Sequence, residues 1–332
     1  MSAKTSGNYQ PSADKNFTII SSQIIYIFLI IVLFFCNIVF VYLWYKHSQI
    51  SKQFHEAEKY SLVDFSRNFI ESKHFFSTIN PVRDGMKELV EKYEAEGHEI
   101  GVYFEFLNTG ANVSINQDKR FWPASLSKMP TVFAVMKKIE NDEWKLNNEL
   151  VLFAEDQDSR FGELYRKTPG TRLTIEELIK ETLISSDNTA HKILVRNLSS
   201  DDYTKIFEAL GMEDLFNKDY NITAKEYSRI FRALYTSSYL SRENSQMLLR
   251  WLTQTNFNHL LGAGLPEDII FSHKIGEEYN ESVFLDSGIF YVPNRPCLIT
   301  VMIKVKPEGS VDDAKKIMSE LSKIAYEYVA QK

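Results

Sequence analysis

Residues 121–139 read FWPASLSKMPTVFAVMKKI, and this stretch decides how the rest of the chain is read. Val132, Phe133, Val135, Met136 and Ile139 recur at the spacing of one apolar helix face, which predicts a helix packed into a core. Phe121-Trp122-Pro123-Ala124 leads into it, and Ser125-Leu126-Ser127-Lys128 opens it. A spacing of three puts the Ser125 hydroxyl and the Lys128 amine on one side of a helix. A serine hydroxyl is a weak nucleophile until a base takes its proton. A lysine becomes such a base when burial or nearby cations lower its pKa. The start of a helix adds free backbone N–H groups close to the reacting oxygen. Alone, the four residues are more simply a capping serine and a solvated lysine, so the flanking sequence has to arbitrate.

Two further clusters lie toward the C-terminus. Ser186-Asp187-Asn188, in LISSDNTAHKIL, follows a helix-like segment from Ile175 to Leu183. Its second serine can relay a proton to a leaving group, and the Asn carboxamide can hold a substrate amide. A helix-capping cluster reads the same way. Lys274-Ile275-Gly276, in FSHKIGEE, lies on a strand-like run. Its lysine can attract a substrate carboxylate, and its glycine lets backbone approach a ligand closely. An edge-strand lysine beside a bulge glycine is the plainer account.

The elements around these clusters set the fold class. Asn80-Pro81 predicts a helix start, with Asn80 as N-cap, and Val82, Met86, Leu89, Val90 and Tyr93 mark its apolar face. Gly101 to Leu107 (GVYFEFL) reads as a strand, Asn108-Thr109-Gly110 as a turn and Ala111 to Asn116 as a partner strand. Val283 to Val292 and Leu298 to Val305 read as strands joined at Pro293-Asn294-Arg295-Pro296. A last helix is expected from Val311 to Ala330, capped by Ser310, with Ile317, Leu321, Ile324 and Tyr328 on its face. From about Lys128 to Leu261 the pattern is mainly helical. The expected class is α+β: an antiparallel sheet flanked by N- and C-terminal helices, with an inserted all-helical lobe.

Ahead of this domain, Ile24 to Trp44 (IIYIFLIIVLFFCNIVFVYLW) is long and apolar enough to span a bilayer core. Tyr42, Trp44 and Tyr45 close it as an aromatic belt would. The run is too long for an ordinary signal h-region, and no A-x-A-like site follows. The expected organisation is a disordered cytoplasmic tail (1–17), a transmembrane helix (18–45), a helical stalk (46–79) and a folded domain (80–332). Lys4 and Lys15 before the span and Lys46 and Lys52 after it nearly balance, so charge gives no orientation.

Composition excludes several classes. The 332 residues are 44% hydrophobic and 25% charged, as in an ordinary globular chain. A net charge of −6 without a basic stripe leaves no nucleic-acid footprint. Cys36 and Cys297 support no disulfide framework, and no CxxC spacing is present. The seven histidines form no metal-binding set, so neither metal nor organic cofactor is implied. His273 is the histidine expected nearest the cleft, with an ordinary strand position as the simpler account.

In order and context, S-x-x-K, S-D-N and K-x-G resemble the set of the class A β-lactamases and penicillin-binding proteins. The resemblance runs from about Asn80 to the C-terminus. Supporting it are Pro169-Gly170-Thr171 before Leu173-Thr174 and Glu177-Leu178, and Gly264-Leu265-Pro266 before His273. It implies a class A β-lactamase-like fold and a penicillin-recognising serine hydrolase. Ser125 would be acylated, Lys128 would be the base or part of the proton network, and Ser186 would relay a proton to the leaving nitrogen. Asn188 would orient the substrate amide, Lys274 would support Ser186 and a substrate carboxylate, and Gly276 would admit the ligand. The N–H groups of Ser125 and Glu277 would form the oxyanion hole. The implied ligand is a β-lactam or a peptidoglycan stem peptide of the D-Ala-D-Ala type. The implied location is a single-pass membrane protein with its catalytic domain outside the cytoplasm.

Two positions depart from that family. Ile275 stands where Ser or Thr is usual, and removes a hydroxyl that would help hold a substrate carboxylate. The deacylating glutamate is not evident. Glu213, in Glu213-Asp214-Leu215-Phe216-Asn217, has the E-x-x-x-N spacing but lies early, and Glu163 is the other candidate. Three functional readings therefore stand: a hydrolase of β-lactams or D-alanyl peptides, a non-turnover sensor of either, and a scaffold that has lost its chemistry.

Overall fold

The computed structural model describes residues 14–63, 79–212 and 220–330. Contacts divide the chain into two units, residues 1–59 and 60–332. The first is one long helix, α1 (Asp14–Lys59), containing the apolar segment Tyr26–Gln49. That segment is long and apolar enough to cross a membrane, and α1 reaches past the expected 18–45 span at both ends. Residues 1–13, and 64–78 of the expected stalk, lie outside the described residues.

The second unit is built on a five-stranded antiparallel sheet in the order β2-β1-β7-β6-β5. The strands are β1 (Glu99–Phe106), β2 (Asn112–Ile115), β5 (Phe271–Glu278), β6 (Val283–Val292) and β7 (Arg295–Lys304). Two further strands, β3 (Glu149–Val151) and β4 (Arg172–Thr174), form a small separate ladder, which three-residue apolar runs are too short to announce in sequence. The helices are α2 (Asn80–Ala95), α3 (Lys128–Glu140), α4 (Ile175–Ile184), α5 (Asn188–Arg196), α6 (Ser200–Leu210), α7 (Ala224–Thr236), α8 (Arg242–Leu252) and α9 (Val311–Ala330). This mixed architecture is the expected α+β class.

The central strands are covered on both faces, and their side chains sort by alternation. On β7, Leu298 and Met302 join a core shared with the helical lobe, where Phe133, Leu178, Leu194 and Phe231 are buried. Ile299, Val301 and Ile303 point the other way, into a second core closed by Met86 of α2 and Leu321 of α9. Burying a side chain of this size stabilises by about 1.5–3 kcal/mol.

Three local expectations change. Asn80 is the first helical residue rather than the N-cap, and its carboxamide oxygen instead accepts from Arg83 at 3.1 Å. Ser125 sits not in α3 itself but in a 3₁₀ turn, Ala124–Ser127, that feeds it. The folded unit also begins before Asn80. Leu62 and Val63 are buried, the Leu62 N–H donates to Gln246 Oε1 at 2.7 Å, and its carbonyl accepts from Tyr291 Oη at 2.9 Å.

Gly264, which ends the turn before β5, lies against α9. A Cβ there would stand 2.1 Å from the Ser319 carbonyl oxygen and 2.2 Å from Ser322 Oγ. We expect Gly264→Ala to lower the unfolding free energy by about 1–3 kcal/mol through overpacking. Urea denaturation of the two proteins checks this.

Candidate active site

Three elements bring the predicted residues together. The first is the 3₁₀ turn carrying Ser125, pinned from two sides. Phe121 and Ile222 exchange backbone hydrogen bonds of 2.9 Å each. The buried Tyr227 of α7 donates its hydroxyl to the Leu126 carbonyl at 3.0 Å. The turn feeds straight into α3, so the Lys128 side chain rises beside Ser125 with Nζ 3.1 Å from Oγ.

The second element is the loop between α4 and α5. Ser186 adopts a left-handed conformation with φ 52°, uncommon for a residue with a side chain. Asp187 holds it there. Its carboxylate caps α5 by accepting from the Ala190 N–H at 2.8 Å, and accepts from the N–H groups of Glu163 and Leu164 at 2.7 and 2.9 Å. The chain passes so close that a Cβ on Gly162 (φ +87°) would lie 2.0 Å from that carboxylate. Asp187 is thus a structural hub, while Ser186 and Asn188 on either side of it face the lysines.

The third element is β5 at the sheet edge. By alternation Lys274 and Gly276 share the face turned to the lobe. The Lys274 amine donates to Ser186 Oγ at 2.8 Å. A Cβ on Gly276 would stand 3.0 Å from the Pro123 carbonyl oxygen and 3.2 Å from Leu126 Cγ, so a side chain there would push the Ser125 turn away by a few tenths of an ångström. Ile275 points into the second core and is 2% exposed. That edge of the strand therefore offers no hydroxyl.

The Lys128 amine is the meeting point. Its Nζ lies 3.1 Å from Ser125 Oγ, 3.1 Å from Ser186 Oγ and 2.7 Å from Asn188 Oδ1, and it donates to the Ser186 carbonyl. Burial lowers its pKa to about 7, although Asp187 and Asp158 pull the other way. Burial also drives Lys274 well below the ordinary lysine range, and the neighbouring Lys128 adds to this. A chain of hydroxyls and amines thus runs from Ser125 through Lys128 and Ser186 to Lys274. Near neutral pH an amine in that chain can take a proton from one hydroxyl and pass it to another.

Sequence reasoning missed several members of the site. Asp158 accepts from Asn188 Nδ2 at 3.2 Å and from Arg160 at 2.7 Å, and pairs with Lys192 at 3.1 Å. Arg160 is the main reason its carboxyl sits far below the usual range. His259 Nε2 lies 2.6 Å from Glu277 Oε1. Neither residue belongs to a linear motif; both reach the site through tertiary contact. His191, rather than His273, is the histidine beside the lysines. Burial, reinforced by the charges of Lys128 and Lys274, lowers its pKa to about 3. His273 is fully buried between Asp286 and Asn258, 2.9 and 3.0 Å away. Of the two glutamates proposed from spacing, Glu163 is exposed and paired with Arg166 at 2.8 Å. Glu213 lies outside the described residues. Among the described residues no group of three or more His, Cys, Asp or Glu is arranged to hold a metal ion.

A family model described as the beta-lactamase enzyme family matches residues 81–329, three-quarters of the chain. The chain belongs to the beta-lactamase enzyme family. Among curated relatives, the beta-lactamase VEB-1 of Pseudomonas aeruginosa is 23% identical over 286 residues, covering 78% of this chain and 95% of its own. Among solved structures, a beta-lactamase from Sphaerobacter thermophilus superposes with a TM-score of 0.69 at 25% identity, covering 75% of this chain and 98% of that one. PBP-A superposes with a TM-score of 0.67 at 20% identity, covering 75% and 97%. The β-lactamase fold expected from the sequence is thereby shown.

Asp187→Ala would strip the acceptor from three backbone N–H groups. We expect it to lower the unfolding free energy by about 2–4 kcal/mol. Chemical denaturation followed by tryptophan fluorescence reads the loss.

Proposed function

We propose that the protein is a membrane-anchored serine hydrolase that forms an acyl-enzyme on Ser125 with β-lactams or with D-alanyl stem peptides, and that releases it slowly. The observation that carries this reading is the buried Lys128 amine, hydrogen-bonded at once to Ser125, Ser186 and Asn188. In its neutral form Lys128 takes the Ser125 proton as Oγ attacks the substrate carbonyl. The backbone N–H groups of Ser125 and Glu277 receive the developing oxyanion; one such donor is typically worth about 2.7–4 kcal/mol. The proton then passes through Ser186, supported by Lys274, to the departing nitrogen as the C–N bond breaks. Asn188, braced by Asp158, orients the substrate amide, and Gly276 lets β5 lie close against the Ser125 turn. In support, a variant of PBP-A has been solved as an acyl-enzyme with penicillin G.

Slow release is the part of the proposal that the described residues around Ser125 support. Among the described residues no carboxylate is hydrogen-bonded to its hydroxyl, and Glu163 is turned to Arg166 in solvent. A persistent acyl-enzyme suits a slow peptidase, or a sensor of β-lactams or cell-wall fragments. The apolar helix over Tyr26–Gln49 would provide the anchor, with the catalytic domain outside the cytoplasm where stem peptides lie.

A pulse and chase with a fluorescent penicillin on the full chain in detergent tests the reading. We expect covalent label on the parent that persists for many minutes, and no label on Ser125→Ala. Equal labelling of that variant would remove Ser125 as nucleophile, and loss of label within seconds would remove slow release. The labelling rate should climb as pH rises through about 7, because Lys128 acts only when deprotonated and its pKa is lowered to about 7. A rate flat from pH 5.5 to 8.5 would exclude Lys128 as the base.

A further inference from the structure

A recess of about 500 Å³ is lined by Trp122, Asn221, Glu278, Asn280 and Glu281. Both elements that carry the reacting groups run into it. Trp122 stands three residues before Ser125, and Glu278 directly follows Glu277. By strand alternation Glu278 continues the face of Lys274 and Gly276, which is turned to the lobe.

Among the described residues the chemistry of the recess is one-sided: no lysine, arginine or histidine lines it, and neither Glu278 nor Glu281 forms a salt bridge. Arg160, which feels the charge of Glu278, is already bound through two nitrogens to Asp158. The Trp122 indole is 42% exposed, its ring 6.0 Å from that of Tyr220. Two carboxylates, two carboxamides and an indole face suit a primary ammonium, which gains from both charge and the aromatic quadrupole. The same end of β5 is poorly equipped for an anion. Ile275 carries no hydroxyl, the Lys274 amine is engaged by Ser186, and His259 is held by Glu277.

Direction along β5 says which part of a substrate arrives there. Lys274 and Ser186, at one end, serve the departing nitrogen. Glu277 lies at the carbonyl, and Glu278 lies beyond it on the side where the acyl portion remains.

We propose that this recess is a subsite for a primary ammonium on the acyl portion of the substrate, such as the side-chain amine of a diamino-acid residue in a stem peptide. The inference rests on the acyl-enzyme reading above and names the class of acyl donor that the site prefers.

Two penicillins test it: one with a 5-aminopentanoyl side chain, and its N-acetylated counterpart, which lacks the charge. Both are offered to the full chain in detergent, and the rates at which Ser125 is labelled are compared. We expect the amine to label about tenfold faster at low salt, and the ratio to fall to about one in the double variant Glu278→Gln/Glu281→Gln. Equal rates in the parent, or a preference that survives the double substitution, would overturn the subsite. If neither penicillin labels, the acyl-enzyme reading is what fails. Saturable binding of Nα-acetyl-lysine amide to the parent and not to the double variant, read by calorimetry, then supports the subsite, and its absence overturns it.

Discussion

The Lys128 amine is 2% exposed and shares its hydrogen bonds among Ser125, Ser186 and Asn188. A charged ammonium in such a place is expensive, because burial withdraws the water that would solvate it. The usual compensation is an adjacent carboxylate. Here none is hydrogen-bonded to the Lys128 Nζ among the described residues; Asp187 and Asp158 act on it only through space. Their effect leaves the amine close to half protonated near neutral pH. The surrounding fold can be understood as what keeps that amine dry and aimed at an oxygen.

Three constraints do so. Gly276 lets the sheet edge close against the Ser125 turn, where a Cβ would crowd the Pro123 carbonyl. Asp187 spends its carboxylate on three backbone N–H groups rather than on the lysine, and so fixes the left-handed Ser186 without neutralising the site. Lys274 brings a second amine against the same serine hydroxyl. Burial, with the charge of Lys128 beside it, pushes Lys274 toward the neutral form. Gly276, Asp187 and the two buried lysines are therefore parts of one arrangement.

Much of this was legible in the sequence, and the legible parts share a cause. The strands from Glu99 and Val283 and the helix from Val311 announce themselves because burial on defined faces imposes a period. Ser125, Lys128, Ser186, Asn188, Lys274 and Gly276 announce themselves because each sits within a few residues of another on one local element. What sequence could not show depends on distant segments meeting. Asp158 is thirty residues from Asn188, and His259 is eighteen from Glu277. The recess joins Trp122 to Asn221 and Glu278 across three separate stretches. The alternation of β5 also could not be phased from sequence, so Ile275 was legible as a missing hydroxyl but not as a core residue. The short β3–β4 ladder and the docking of Leu62 and Val63 escaped for the related reason that three or four residues carry no readable period.

The account turns on a lysine that is neutral when a hydrolase needs a base. The most direct measurement is an NMR titration of the full chain in detergent micelles, with ¹³C-labelled lysine and Lys128→Arg to assign the signal. The account predicts that the Lys128 side-chain resonance moves with a midpoint near pH 7. A midpoint above about 10, in the range of a solvated lysine, would contradict it, because Ser125 would then have no base within reach.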